Sequence, residues 1–334
     1  MAKKQNNKVK NEGKGSITIA NIIALVGLVL LLVFTFIGHS YMSGGELGWD
    51  ILIAVVVTAV AGGLLWFMIK CKGAPNQLDK WKKIEIATLV CYILFAIPAS
   101  VFGGIMHFFV VNDNKEQIKG FAQEDIAQID SLFASYKTFE NEALSNTKTG
   151  LLNATGRGQV CDNKLNQFMQ ANNIDHTRDA VETFCRIQKT KLVGEEYESF
   201  KQSFDVRKNS ISNIINSWSV MQVPTKAKEI ETLATEVKEQ LTQRSQSGKL
   251  PLLKFDSSIN KHTITQDNQS KEFTIDTSSF RFRKALQNAR GFSVIALIVV
   301  LLIHLMILFN YFVAHRTNVL NVGSSMEEDG GTLL

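Results

Sequence analysis

The stretch FSVIALIVVLLIHLMILFNYF, residues 292–312, decides the fold class of this chain. It contains no aspartate, glutamate, lysine or arginine, and it is long enough to cross the roughly 30 Å of hydrocarbon in a bilayer. A mostly polar stretch, residues 112–290, lies before it, and three further apolar runs precede that stretch. The sequence therefore predicts an all-α membrane protein, with four transmembrane helices and a helical domain inserted between the third and the fourth.

Four apolar blocks divide the 334 residues into nine predicted segments. The mean hydropathy of the whole chain is close to zero because these blocks are balanced by polar segments. The predicted segments are a basic N-terminus (1–16), TM1 (17–37), an outer loop (38–46), TM2 (47–69), a cytoplasmic loop (70–83), TM3 (84–111), the extracytoplasmic helical domain (112–290), TM4 (291–313) and a cytoplasmic tail (314–334).

Lysine placement predicts the orientation of the spans. Lysines cluster before TM1 and between TM2 and TM3, while the loop between TM1 and TM2 has none, and positive charge favours the cytoplasmic side. Both termini are therefore expected in the cytoplasm and residues 112–290 outside it. The expected location is the cell (inner) membrane, and a proteobacterial-type envelope would make residues 112–290 a periplasmic domain. Four basic residues just before TM4 disagree with this orientation: Arg281, Arg283, Lys284 and Arg290.

The first apolar block could also be a secretory signal peptide, because a basic leader precedes it. Its length of about 21 residues exceeds a typical signal core. The residues that follow, 38–42, also lack a small-x-small cleavage site. We therefore expect a retained helix.

Acidic and basic residues are rare near the centres of the predicted spans. His304 lies near the centre of TM4, whereas Asp50 and Glu85 lie at the edges of TM2 and TM3. A histidine that faces a neighbouring helix is expected to pack and hydrogen-bond, and a proton relay is the alternative. His304 is therefore a candidate intramembrane polar site.

Small residues recur four apart in three of the spans, and this spacing lets helix backbones approach closely. They are Ala20 and Ala24; Ala59 and Gly63; and Ala96, Ser100 and Gly104. We expect the spans to pack together or against a partner through these faces. Pro98 is expected to kink TM3 because proline removes a backbone donor.

The inserted domain begins with an apolar stripe at helical spacing. The stripe consists of Ile118, Ala122, Ile126, Ile129, Phe133 and Tyr136. No helix breaker separates it from TM3, so one long helix is predicted to extend from the membrane as a stalk. The polar composition of residues 145–150 then predicts a loop.

Cys161 and Cys185 flank a predicted helical hairpin with its tip at Asn172 and Asn173. Pairing residues symmetrically about position 173 places the two sulfurs at the same height. In an oxidising compartment this arrangement predicts a disulfide. Two unrelated buried thiols are the alternative.

A second amphipathic helix is predicted from Gly194 to Pro224, where proline restricts the preceding residue. Thr225 is then predicted to cap a further helix. Its apolar residues follow a heptad-like seam: Ala227, Ile230, Ala234, Val237 and Leu241. Together with the stalk, these helices predict an antiparallel bundle.

The alternating pattern of residues 262–266 and 271–277 predicts a small β-hairpin with its turn at 267–270. The basic run 281–290 is expected to be helical and to continue directly into TM4. The tail ends in the acidic, glycine-containing sequence MEEDGGTLL, residues 326–334, which is typical of disorder, with a docking peptide as the alternative.

Motifs for catalysis and cofactor binding are absent from the sequence. The six histidines show no metal-ligand spacing, and there is no Gly-rich phosphate loop. The net charge of +5 comes largely from lysines beside the membrane. We therefore expect no enzyme activity, no cofactor and no nucleic-acid partner.

The overall plan is similar in outline to tetraspanins, which have four spans and a large disulfide-bearing loop. It is also similar to bacterial chemoreceptors, which carry a helical bundle outside the membrane. The chain lacks the Cys-Cys-Gly signature of the first and the long cytoplasmic coiled coil of the second. The sequence therefore assigns no family.

The leading hypothesis is a non-enzymatic membrane subunit that displays its helical domain to a protein partner or ligand, as a scaffold or sensor in a larger complex. Membrane lipid and either a protein partner or further copies of the chain are the expected contacts. The alternative is a component of an oligomeric channel or transporter.

Overall fold

A computed structural model describes residues 2–72, 78–156 and 159–314. Within these residues the chain is mostly helical with one two-stranded sheet. It divides into two units: the span unit, up to Lys115 and from Lys284 onward, and the inserted unit, Glu116–Arg283. The predicted tail from residue 315 and Pro75 of the predicted cytoplasmic loop lie outside the described residues.

Four helices of the span unit are long and apolar enough to cross a membrane, as the sequence predicts. α1 (Ala2–Ser43) contains the first span, α2 (Leu47–Lys72) is the second and α12 (Val294–Val313) is the fourth. α1 continues past the predicted end at residue 37, which leaves residues 44–46 as the connection. Gly44 and Gly45 have φ values of 75° and 90° there, and glycine adopts these values without steric cost.

The third span is not a regular α-helix. Pro98 has no N–H to donate, and it lies in the first turn of a short α-helix with a π-helical turn on either side. Ahead of it, the Ile97 N–H donates to the Tyr92 carbonyl five residues back. The third span thus departs from regular α-helix on both sides of Pro98, but its kink lies at Gly104, which has non-helical backbone angles, and not at Pro98 as predicted. The span consists of α3 (Leu78–Cys91), the π-helical turn Tyr92–Ala96, α4 (Ile97–Ser100), the π-helical turn Val101–Ile105 and α5 (Met106–Asp113).

Glycine allows α1 to pack directly on its neighbours. Gly104 has φ 135°, and a Cβ added to Gly38 would lie 2.0 Å from the Gly104 carbonyl oxygen. A Cβ added to Gly27 would lie 2.9 Å from the side chain of Ile307 on α12. The first span therefore packs closely against both the third and the fourth.

The predicted small-residue faces have different environments. Ala20, Ala24, Ala96 and Ser100 are buried, as expected for residues at helix interfaces. Ala59 and Gly63 lie on the exposed side of α2, and a Cβ added to Gly63 would meet nothing within 4 Å. Two of the three faces predicted from small-residue spacing are therefore packed.

From Glu116 onward α6 (Lys115–Ala154) belongs to the inserted unit. Five of the six residues of the predicted apolar stripe are buried, and the sixth, Ile126, is half-buried. The predicted single helix from TM3 is interrupted at Asn114, where the side-chain amide donates to the Val110 carbonyl 2.7 Å away. The predicted loop at 145–150 is wrong, because these residues are helical. Thr147 and Gly150 instead contact the segment that follows Gly248: the Thr147 hydroxyl donates to the Pro251 carbonyl.

The predicted helical hairpin is present as α7 (Asn163–Ala171) and α8 (Arg178–Val193). Asn173 lies in its turn with φ 52°, a left-handed conformation that asparagine tolerates. The side chains of Asp162 and Thr177 accept hydrogen bonds from the first turns of the two helices. These caps explain why α7 begins after Cys161 and leaves that cysteine outside the hairpin.

Two longer helices complete the bundle, α9 (Glu195–Asn216) and α10 (Val223–Ser247). All five residues of the predicted heptad seam on α10 are buried. α9 ends before Trp218, which has φ 52°. The predicted cap at Thr225 is wrong, because α10 already begins at Val223 and Pro224 occupies its first turn, where no amide donor is needed.

The β-hairpin pairs different segments from those predicted. β2 (Lys261–Gln266) matches one predicted strand, but its antiparallel partner is β1 (Leu252–Asp256). Residues 271–277 are not a strand, because their backbone donors are bound by α10. The Lys271 N–H donates to Ser245 Oγ, and the Phe273 N–H donates to Thr242 Oγ1.

The basic run before the fourth span is helical only in part. A 3₁₀ turn (Thr277–Ser279) is followed by α11 (Phe282–Gln287). Residues 289–293 are not helical, so the run does not continue directly into α12 as predicted.

We predict that Gly38→Ala destabilises the span unit by about 1–3 kcal/mol, because the new methyl group would displace the backbone of the third span. Thermal unfolding of the detergent-solubilised protein measures the effect. Gly63→Ala is the matched control, since it adds the same methyl group to another span where the space is open. Equal stability of the two variants would contradict the prediction.

Candidate functional site

His304, the candidate intramembrane residue, is buried between two hydroxyl groups. Its Nδ1 lies 2.7 Å from Tyr92 Oη, and its Nε2 lies 2.6 Å from Ser100 Oγ. Both partners belong to the irregular third span. The structure therefore places His304 at a packed contact between the third and fourth spans.

One tautomer of His304 is consistent with donation by Ser100 to its own helix backbone. Ser100 Oγ lies 2.7 Å from the Ala96 carbonyl oxygen, to which its single proton is donated. Its oxygen then accepts a hydrogen bond from the Nε2–H of His304. Nδ1 is left to accept the Tyr92 hydroxyl proton, so a neutral imidazole satisfies both interactions.

A second polar contact joins the same two spans. The Tyr311 hydroxyl donates to Glu85 Oε1 across 2.6 Å, and the Lys72 ammonium of α2 donates to the Tyr311 carbonyl oxygen, also across 2.6 Å. We call this pair and the Tyr92–His304 pair the polar rungs. They lie seven residues apart in both spans, from 85 to 92 and from 304 to 311.

Seven-residue spacing places both rungs on the same face of each antiparallel helix. Apolar residues fill the interface between and beyond them, including Ile307, Val300 and Ala96. A polar pair at a buried heptad position specifies helix register, because any slip leaves its members without partners in hydrocarbon. The rungs can therefore fix how the fourth span packs on the third.

A further buried polar group lies at the connection of α1 and α2. Asp50 Oδ2 accepts a hydrogen bond from Ser43 Oγ at 3.0 Å, and Asp50 Oδ1 lies 3.4 Å from His39 Nδ1. Ser43 Oγ also accepts the N–H groups of Gly45 and Glu46. Asp50 thus holds the tight connection between the first two spans through Ser43.

Sequence reasoning placed Asp50 and Glu85 at span edges, yet both are fully or almost fully buried. One signal could have identified Glu85. It lies seven residues before Tyr92 and fifteen before Ser100, which places all three on one helix face. The partners on α12 could not be identified, because nothing local specifies which helix packs there.

Cys161 and Cys185 are both free thiols, so the predicted disulfide has no support from the structure. Both are buried in one apolar cluster with Leu165, Val181 and Ile264. Cys161 Sγ donates to the Ala154 carbonyl, and the Cys161 backbone forms a bridge with His262. Burial raises the pKa of each thiol, which favours the protonated form.

Two of the basic residues that disagree with the predicted orientation form ion pairs inside the inserted unit. Arg281 lies 3.0 Å from Glu124, and Arg283 lies 2.9 Å from Glu231. The buried carboxylate of Asp125 accepts the backbone N–H groups of Arg281 and Phe282. The start of the basic run therefore forms part of the folded inserted unit.

The polar rungs are suited to structural hydrogen bonding. Among the described residues, no group of three or more His, Cys, Asp and Glu side chains could hold a metal ion.

Comparison with protein families, curated proteins and solved structures found no match. The function is therefore argued from the geometry of this chain.

We predict an energetic coupling of about 0.5–2 kcal/mol between Tyr92 and His304, the range expected for interhelical hydrogen bonds in membranes. A double-mutant cycle with Tyr92→Phe and His304→Leu, read by unfolding in detergent, measures it. The control cycle combines Tyr92→Phe with Tyr311→Phe. These residues belong to different rungs about 10 Å apart, so their effects should add. Additive effects in the first cycle would show that the rung does not form.

Proposed function

We propose that this chain is a non-enzymatic, multi-pass membrane subunit that displays its inserted unit outside the cytoplasm. There the inserted unit binds a protein partner or a ligand, as a scaffold or sensor within a larger membrane complex. The observation that carries the proposal is the division of the chain into an apolar four-span unit and a separate polar-surfaced unit.

The surface of the span unit supports the membrane part of the proposal. Large apolar side chains are exposed on every span, among them Leu25, Val55, Phe95 and Leu301. Apolar surface on this scale is characteristic of proteins solvated by lipid, because soluble proteins rarely expose large contiguous patches of it.

The inserted unit has a core of its own, which supports a role as a displayed domain. Tyr136 of α6 stacks on Tyr197 of α9 with ring centroids 5.3 Å apart, and Phe273 packs against the Tyr136 ring. The seam of α10 is buried among the same helices. A unit that buries its own apolar residues can leave its polar surface free for binding.

Charge supports the proposed orientation. Lys80, Lys82 and Lys83 are exposed at the start of the third span, where positive charge favours the cytoplasmic side. Arg281 and Arg283 are neutralised by carboxylates, which weakens them as opposing signals. The alternative function, a component of an oligomeric channel or transporter, stays a prediction.

We predict that a cysteine at exposed Ser210 reacts with a membrane-impermeant maleimide in right-side-out vesicles, whereas a cysteine at exposed Lys82 does not. In inverted vesicles the reactivities should exchange. The unsubstituted chain, with its four native cysteines, provides the background. Labelling of the Lys82→Cys variant alone in right-side-out vesicles would overturn the orientation.

We predict that photo-crosslinking side chains at Val206 and Phe255, both exposed on the inserted unit, capture a protein partner or bound ligand in intact membranes. Matched positions on the exposed face of α12 are Ile298 and Leu301. Mass spectrometry of the purified adducts identifies what is captured. Adducts between copies of this chain, formed from the α12 positions alone, would contradict the proposal and favour the oligomeric channel or transporter.

A further inference from the structure

Glu140 is a fully buried carboxylic acid in the inserted unit. It lies on α6, one turn after Tyr136, and its side chain has no solvent exposure. Neither carboxyl oxygen has a hydrogen-bond partner of good geometry among the described residues. Burying an unpaired carboxylate is costly, so such a position favours the neutral acid.

The surrounding charged groups do not form an ion pair with Glu140. The Arg244 guanidinium of α10 is bound by backbone carbonyls instead, at 2.6 Å from Lys191 O and 3.4 Å from Glu196 O. The Lys271 ammonium lies over the rings of Phe139 and Phe273.

The neutral polar groups nearby are two phenols and one alcohol. Tyr136 donates its proton to the Leu192 carbonyl, and Tyr197 donates its proton to the Phe133 carbonyl. The Ser245 hydroxyl of α10 faces Glu140 and partly offsets the cost of its charge. Burial dominates, and it raises the pKa of Glu140 from 4.5 to about 7.

Ser245 connects Glu140 to the segment that covers this part of the core. Ser245 Oγ accepts the Lys271 N–H at 3.1 Å, and Thr242 Oγ1, one turn earlier on α10, accepts the Phe273 N–H at 3.0 Å. A charge on Glu140 requires new donors or water, and Ser245 is the donor at hand. One hydroxyl donor cannot replace the water around a carboxylate, so ionisation of Glu140 favours opening of the contact between α6, the end of α10 and residues 271–273, which admits water.

We propose that Glu140 makes the inserted unit a sensor of pH, in which ionisation of this buried carboxyl loosens the packing of residues 271–273 on α6 and α10. The inference goes beyond the proposed function, and it does not depend on the orientation of the spans. A displayed domain with this property would couple its binding surface to the pH of its compartment.

The direction of the effect follows from proton linkage. A folded-state pKa above the unfolded value means that the folded unit holds the extra proton. The stabilisation is complete below about pH 4.5 and is lost as the pH rises through about 7. Because one pKa unit is a tenfold change, the opening equilibrium of this region should rise by up to about 300-fold over that interval.

Hydrogen exchange of the full-length protein in detergent, followed by mass spectrometry between pH 5 and pH 8, tests the proposal. After correction for intrinsic exchange rates, peptides covering residues 132–154 and 241–273 should lose protection with a midpoint near pH 7. Glu140→Gln should hold protection constant across this range. Glu142→Gln, an exposed neighbour on the same helix, is the matched control and should behave as the unsubstituted protein.

Ser245→Ala provides a second variant that keeps the carboxyl group. Removing the hydroxyl that favours the charged form should move the midpoint to higher pH. Protection that does not depend on pH in the unsubstituted protein would overturn the proposal. An unchanged pH dependence in Glu140→Gln, or its loss in Glu142→Gln, would do the same.

Discussion

Hydrocarbon offers no hydrogen-bonding partners, so every polar group buried between the spans must be satisfied within the protein. His304 and Tyr311 of the fourth span meet this constraint on the third span, at Tyr92, Ser100 and Glu85. Apolar side chains could pack in several neighbouring registers at similar cost, but hydrogen bonds at two matched positions allow only one. The arrangement of the four spans therefore depends on a small number of polar contacts, and the glycine contacts of α1 then determine how closely the helices approach.

In the inserted unit, the side chains of one helix pair the backbone donors of an irregular segment. α10 buries its heptad seam on one side, and its Thr242 and Ser245 hydroxyls accept backbone donors from residues 271–273 on another. A single helix thus organises both the apolar core and an irregular segment that would otherwise have unpaired amides. Glu140 lies at this junction, which is why a change in its charge affects the covering segment and not an exposed loop.

Features that depend on local periodicity were predictable from the sequence. The four spans are continuous apolar runs, whereas the stripe of α6 and the seam of α10 repeat an apolar residue at helical spacing, and the burial of these two rows follows from that spacing. Features that depend on a distant partner were not. Residues 271–277 alternate like a strand, but the alternation reflects Phe273 entering the core while α10 binds the backbone. Residues 145–150 have loop composition, but Thr147 and Gly150 are small because another segment packs against them.

The residues of the candidate site also differ in whether the local sequence identifies them. His304 was identified because a histidine within an apolar run is conspicuous, whereas Asp50 and Glu85 were placed at span edges, where charge is ordinary. Their burial depends on how α1, α2 and α12 pack, and no local pattern encodes that packing. The predicted disulfide depended on a symmetrical helix pair, but the Asp162 cap starts α7 after Cys161, so this cysteine lies outside that pair and the disulfide has no support from the structure.

The fourth span lies at the far end of the chain from the first, yet it packs against it through Gly27 and Ile307. During synthesis the whole inserted unit is therefore translated after the first three spans and before the fourth. Throughout that interval Tyr92 and Ser100 lack His304, the hydrogen-bond partner that both contact in the folded protein. The hydrogen bonds of Tyr92 and Ser100 to His304 can therefore form only after the inserted unit has been translated, which makes the packing of α12 on the third span a late step of folding.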